Sequence, residues 1–229
     1  MVRLSPADRR EAIIVAALTV GRRKGLAATT VRDVAAEMGT SGGLIHHYFE
    51  SMDDVLAAAF ARVAEADLER TAGEMAVAAG PAEALAAFFR TYAPADADWA
   101  FQLWLDAWAE AARRPPIQAT SRRLNLAWQA LLEETIRAGV ARGVFVSAEP
   151  GAAAWRILSV VDGLALQVVA HATTIGRGDV ERWASRTAEL ELGMPPGALD
   201  PGRIGSARPA SGRRLCVRAS SVRAGRAGR

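Results

Sequence analysis

The chain has 229 residues, of which 51% are apolar and 23% charged, with one Cys, six Trp and a formal net charge of +3. That length buries a core without covalent staples, the lone Cys216 excludes an intramolecular disulfide, and Arg3, Asp8, Arg9, Arg10 and Glu11 stand where a secretory leader would be apolar. We read no apolar run as long enough for a membrane span, so the expectation is a cytoplasmic protein with no membrane partner.

The net charge conceals a division. Residues 1–50 carry 7 Lys/Arg against 5 Asp/Glu, residues 51–202 carry 13 against 20, and residues 203–229 carry 8 against 0. A mildly basic head on an acidic body suits a molecule that approaches a polyanion with one end only.

Strand signals are scarce and Ala-rich stretches with three-to-four-residue apolar spacing dominate, so the fold class is all-α. The first helix is predicted over about 7–24, with Ile13, Ala16, Ala17 and Val20 on one face and Gly25 as its stop. Thr30 caps a short helix through Met38, with Asp33 as its capping-box partner, and Gly39 ends it. Ser41 is expected to cap a third short helix to Tyr48, and Ser51, followed by Asp53 and Asp54, opens a long fourth helix towards Gly73. Pro81 starts a helix through about Tyr92, and another spans about 96–114 until Pro115 and Pro116 stop it. A long amphipathic helix follows over 118–141, then one from Glu149-Pro150 to about Thr174, and a last one from Gly178-Asp179 to about Gly193. From Met194 onward the residues are Pro, Gly, Ser, Ala and Arg with almost no apolar periodicity, which reads as a disordered tail.

The run from Val31 to Tyr48 has the spacing of two short helices that cross steeply. Val34, Met38, Ile45 and Tyr48 face inward, Ala35 is small at the contact, and Gly39 takes the turn. With Ile13, Ala16-Ala17, Gly25-Leu26 and Thr29-Thr30-Val31 before it, and Tyr48-Phe49 and Val55-Leu56 after it, the stretch resembles the tetracycline-repressor (TetR) family of bacterial regulators. The resemblance implies three domains: a helix-turn-helix DNA-binding domain at 1–50, a helical ligand-binding and dimerisation domain at 51–193, and the Arg-rich tail at 194–229. It also implies that Thr30, Arg32, Ser41, Gly42, Gly43, Leu44, His46, His47 and Tyr48 form the DNA-contacting set, on a palindromic operator read by a homodimer.

Two departures stand out. Gly42 and Met52 occupy positions where the family commonly places lysines, which removes up to two phosphate contacts per subunit, each about one unit of salt slope. Gly42-Gly43 also weakens the recognition helix by roughly 0.8–1 kcal/mol per glycine, which predicts a helix frayed until DNA orders it. His46 and His47 are not a metal pair, because helix neighbours point about 100° apart.

In the body, residues 152–172 are apolar nearly all round, so the helix needs cover on every side and a second subunit is the natural cover. Trp104 to Ala111, Gly143-Val144-Phe145 and Asp162 to Leu166 are similar to the C-terminal body of choline-responsive repressors of glycine-betaine synthesis. Trp99, Trp104, Trp108, Trp128 and Trp155 fall on three helices that such bodies wrap around a pocket, and Asp106, Glu110 and Asp162 lie among them. Trp104, Asp106, Trp108, Trp128, Trp155 and Asp162 are therefore the candidate ligand residues, and the candidate effector is a cationic amine or quaternary ammonium compound. A neutral apolar ligand, with these Trp as ordinary core, is the competing reading.

No Gly-rich phosphate loop, nucleophile elbow or metal-spaced cluster is present, and no cofactor is expected, so the chain is not read as an enzyme. The expected function is a ligand-responsive regulator of transcription, with a helical protein-interaction adaptor as the alternative.

Overall fold

The computed structural model describes residues 5–92, 98–171 and 173–200. Among these are nine α-helices and no strand: α1 Pro6–Lys24, α2 Val31–Glu37, α3 Gly42–Tyr48, α4 Met52–Ala76, α5 Pro81–Arg90, α6 Asp98–Ala111, α7 Pro115–Ala141, α8 Pro150–Val169 and α9 Arg177–Glu191. Their starts are written in local chemistry. Ser5, Thr30 and Ser51 each accept an amide hydrogen bond from the third residue of the helix that follows, and Pro opens α1, α5, α7 and α8, where its missing N–H costs nothing.

The Pro115-Pro116 pair does not merely stop α6. It forms the first turn of α7, with Arg114 in the extended conformation that a residue before proline prefers, so α7 is 27 residues long. The recognition-helix segment is helical from Gly42 despite its two glycines, because Ile45 is anchored in the core at 1% exposure.

Two apolar cores lie along the molecule. The head core gathers Ile13 and Ala17 of α1, Val34 of α2, Ile45 and Phe49 at α3, and Val55 and Ala59 of α4. The body core is built on Phe60, Leu85, Phe88, Trp104, Leu132, Ile157 and Val161. Leu18 and Met52 pack against both. The first two turns of α4 thus serve both cores, with Val55 and Ala59 in the head's and Leu56 and Ala57 in the body's, so packing continues from one into the other beyond residue 50. The packing of Met52 also accounts for an apolar residue at its position.

Two expectations need correction. The chain stays ordered past Glu191 as far as Asp200, since Glu189, 2% exposed, accepts the amides of Gly197 and Leu199 at 2.9 Å each and Leu199 is buried. Residues 201–229, the rest of the expected disordered tail, lie outside the described residues. Second, α8 is long and apolar enough to cross a membrane by length and composition, although only 33% of that stretch is buried in the monomer. Its Ala and Val content raises the mean hydropathy without a long unbroken run of large side chains.

Close packing at the far end of α7 depends on one glycine. A Cβ on Gly139 would lie 2.0 Å from Cδ2 of Phe145, whose ring is 2% exposed. Gly139→Ala is expected to lower stability by about 1–3 kcal/mol, from the strain of overpacking. Gly73→Ala, on the exposed side of α4 where a Cβ meets nothing within 4 Å, is expected to raise it by roughly 0.8–1 kcal/mol. Urea titration of both variants checks the pair, and equal effects would contradict the packing described here.

Candidate functional site

In the head, α2 is fixed before α3 is presented. Thr30 and Asp33 make a reciprocal capping box, with the Thr30 amide donating to Asp33 at 2.9 Å and the Asp33 amide to Thr30 Oγ1 at 3.3 Å. Lys24 of α1 donates to the same Asp33 carboxylate at 2.6 Å, and these bonds hold its pKa down to about 2. Arg23 reaches Glu37 at 2.5 Å, so α1 grips both ends of α2.

The helix α3 then sits on this base with Ile45 inward and Ser41, Gly43, His46 and His47 exposed. Thr30 and Arg32 are exposed on the same module, while Gly42, Leu44 and Tyr48 are half-buried. Ser41 occupies the N-cap position but makes no side-chain cap bond, contrary to expectation; its Oγ lies 3.8 Å from where a Gly43 Cβ would be. Of the first-turn amides of α3, Leu44 donates to the Ser41 carbonyl at 3.1 Å, and those of Gly42 and Gly43 make no cap bond to the Ser41 side chain. Arg10 secures the other end, donating to the Tyr48 carbonyl at 2.9 Å with its guanidinium 3.9 Å from the centre of the Phe49 ring. The His47 and Tyr48 rings meet edge-on at 5.0 Å.

In the body, α4, α6, α7, α8 and α9 line a cavity that opens to solvent. Trp104, Trp108, Trp128 and Phe101 supply its aromatic wall, and Asp162 enters from α8. Trp104 and Trp108 are 5.6 Å apart between ring centres, and Phe101 meets Trp108 edge-on at 5.9 Å. Among the described residues the Asp162 carboxylate makes no hydrogen bond or ion pair, and burial alone pushes its pKa up to about 7. Tyr92 lines the same space, and burial together with the Asp162 and Asp67 carboxylates drives its pKa well above the ordinary phenol value.

Four of the six expected ligand residues are therefore brought together: Trp104, Trp108, Trp128 and Asp162. Two are not. Trp155 is 41% exposed on α8 and outside the cavity wall: it lies on the same face as Leu158 and Asp162 but two turns nearer the start of the helix than Asp162, short of the cavity. Asp106 faces the head, where Oδ2 accepts the Leu26 amide at 2.9 Å and Oδ1 accepts from Gln102 at 3.1 Å. Glu110 shares that side and pairs with Arg114, which also reaches Asp53 of α4 at 2.8 Å. Trp99 likewise serves the head junction, with the Arg22 guanidinium of α1 3.9 Å from its ring centre.

Sequence reasoning missed Tyr92, Asp67, Asn125 and Arg177 as lining residues. Only Asn125 left a signal, one helical turn before Trp128. Among the described residues no group of three or more His, Cys, Asp or Glu is placed to hold a metal.

A small helix-turn-helix head packed on an all-helical body with an internal cavity defines the class of one-component transcriptional regulators. The family model for bacterial regulatory proteins of the TetR family matches residues 13–59, and that for the C-terminal part of BetI-type transcriptional repressors matches residues 81–193. The chain belongs to the TetR family, a family of regulators and not of enzymes, and its C-terminal part is of the BetI type.

The HTH-type transcriptional regulator BetI of Rhizobium meliloti is 31% identical over 134 residues, which are 58% of this chain and 64% of that protein. The match thus spans less than two thirds of its length. A regulator of Saccharomonospora viridis, crystallised in complex with choline, is similar with a TM-score of 0.73 and 25% identity over 81% of this chain and 98% of that one. A Pseudomonas aeruginosa regulator gives 0.73 and 26% over 82% and 93%.

The bond from Leu26 to Asp106 is open to direct measurement. The Leu26 amide is buried, so removing its acceptor strands a donor at a cost of about 1–3 kcal/mol. In Asp106→Ala, hydrogen exchange at Leu26 and its neighbours is expected to accelerate, while protection at Phe88 and Leu132 in the body core holds. Unchanged exchange at Leu26 would show that the bond does not secure this junction.

Proposed function

We propose that this protein is a cytoplasmic, ligand-responsive repressor that binds a palindromic DNA operator as a homodimer and releases it when a cationic amine or quaternary ammonium compound enters the body cavity. The observation that carries this reading is the two-sided construction of α6. One side presents Trp104 and Trp108 to the cavity, and the other presents Trp99 and Asp106 to Arg22 and Leu26 of the head. A ligand that shifts α6 acts on both places at once.

On the DNA side, α3 enters the major groove with Ser41, Gly42, Gly43, Leu44, His46, His47 and Tyr48 towards the duplex, while Thr30 and Arg32 at the start of α2 contact the backbone. The amides of Gly42 and Gly43, which the Ser41 side chain does not cap, supply donors where Gly42 brings no ammonium group. The exposed Trp155, Trp183 and Leu190 on α8 and α9 support the homodimer, because large apolar side chains left exposed on two neighbouring helices are what a second copy would cover.

On the ligand side, indoles beside a carboxylate suit a cation that has no hydrogen-bond donors of its own. The choline bound to the similar Saccharomonospora viridis regulator supports the same class.

Fluorescence anisotropy on an inverted-repeat fragment from the DNA beside the gene tests the reading. Retention that weakens steeply with salt, survives competition with unrelated DNA and falls at least tenfold in the His46→Ala/His47→Ala double variant is expected. A protein-interaction adaptor would show no sequence-selective retention. Choline should release the operator from the wild-type protein but not from Trp104→Ala, and release by neutral apolar compounds alone would reverse the ligand class. In Asp106→Ala, choline should still bind, but its effect on DNA affinity should shrink several-fold, because coupling between sites is itself a free energy of about 1–3 kcal/mol.

A further inference from the structure

The cavity contains a carboxylate that the described residues leave without a counter-charge. Asp162, the one acid on α8, lines the same cavity as Trp104, Trp108 and Trp128. The charged and titratable groups that face it from the surrounding helices do not neutralise it. On α4, Asp67 is itself negative and is already ion-paired with Arg70, which also holds Glu74. Tyr92, at the end of α5, stays a neutral phenol because of burial and the nearby carboxylates. The described residues of α6 and α7 that line the space, including Phe101 and Asn125, are uncharged. Arg177 of α9 lines the cavity too, and is engaged in an interaction of its own.

Asp162 is half-buried, so an ionised carboxylate there forfeits part of its hydration without a protein group to replace it, whereas the protonated acid forfeits less. A quaternary ammonium ion reverses the balance. It brings the missing positive charge, cannot share or donate a proton, and rests its methyl groups on the indole faces.

Resting on the cationic-effector reading above, we infer that the cavity exchanges a proton for its ligand: Asp162 is protonated in a large share of the free protein, and a permanently charged ammonium ion displaces that proton to solvent as it binds. The only bond broken is the carboxylic O–H, the proton passes to buffer, and the carboxylate–ammonium contact that forms is electrostatic. Effector sensing is then also pH sensing.

The sign follows from linkage. The bound state holds fewer protons than the free state, so effector affinity rises with pH. The free carboxyl titrates near pH 7, so affinity is about tenfold weaker at pH 6 than at pH 8, and about half a proton leaves per ligand bound at pH 7. A neutral ligand of the same shape gains nothing from ionising Asp162 and shows no rise with pH.

Calorimetric titration of the full chain with choline at pH 6, 7 and 8, each in two buffers of different ionisation enthalpy, measures affinity and proton count together. Expected are the tenfold rise and proton release in wild type, a weaker and pH-independent affinity in Asp162→Asn, and retained proton release in Asp162→Glu. The neutral carbon analogue of choline, 3,3-dimethylbutan-1-ol, is expected to bind without proton release. Choline binding of equal strength at pH 6 and pH 8 with no proton released would overturn the exchange while leaving the cationic effector standing. No choline binding at any pH, with binding of the neutral analogue, would overturn both. The wild-type pH slope persisting in Asp162→Asn would overturn the assignment to this carboxyl.

Discussion

The hydrogen bond from the Leu26 amide to the Asp106 carboxylate joins a turn of the head to a helix of the body, and the arrangement of the two halves depends on it. Gly25 makes the bond possible. At φ +84 it turns the chain out of α1 and aims the next amide at α6, and a Cβ there would lie 3.5 Å from the same carboxylate oxygen. Around this bond the junction is reinforced by Arg22 over Trp99 and by Arg62 of α4 reaching Glu11 of α1 at 3.0 Å. The exposed Arg62–Glu11 pair adds little energy, but it helps fix where α1 lies on α4. The head is held at a few defined points on elements that also build the cavity, so a displacement in the body has somewhere specific to go.

Most of the head was legible in the sequence because its information is local. Capping residues sit three positions from their partners, glycines mark the turns, and the 3.6-residue period of Ile13, Ala17 and Val20 picks out the buried side of α1. The body was legible as helices but not as a site. Asp106 and Asp162 look alike in sequence, each an acid among apolar residues near a tryptophan. What separates them is which neighbour lies across from each, and that is decided by packing between helices far apart in the chain. Asp106 finds an amide eighty residues away, and Asp162 finds indoles. Trp155 fails because it shares the face of Asp162 but sits two turns away along α8, and the helical period says nothing of where along a helix a cavity opens.

The C-terminal turn and the Pro115-Pro116 pair were misread by a different route. Both are segments where composition speaks for an ending and the surroundings reverse it. Glu189 is a charge that the core excludes unless it is satisfied, and the amides of Gly197 and Leu199, together with Arg186 at 3.0 Å, satisfy it. Those bonds outweigh burial and hold its pKa below the usual value. The two prolines fill positions where a helix needs no donor, so the same residues that end α6 begin α7.

Glu189 and Asp162 also bound what the fold does with buried negative charge. Each is an acid placed among apolar residues, yet the first is given three donors and its pKa falls, while the second is given none and its pKa rises. Glu189 holds a turn against α9 and must stay the same in every state of the protein. Satisfying Asp162 would have required only an amide or a hydroxyl turned towards it. Tyr92 and Asn125 share its cavity without bonding to it, and the rest of that wall includes Trp104, Trp108 and Trp128, whose faces attract positive charge. Leaving it unsatisfied lowers the stability of the free protein, and under the proposed reading a bound cation would supply the counter-charge. A ligand can shift an equilibrium only by its difference in affinity for two states. An unpaired carboxylate on a wall shared with α6 would be a source of such a difference, and α6 also carries the Asp106 that accepts the Leu26 amide.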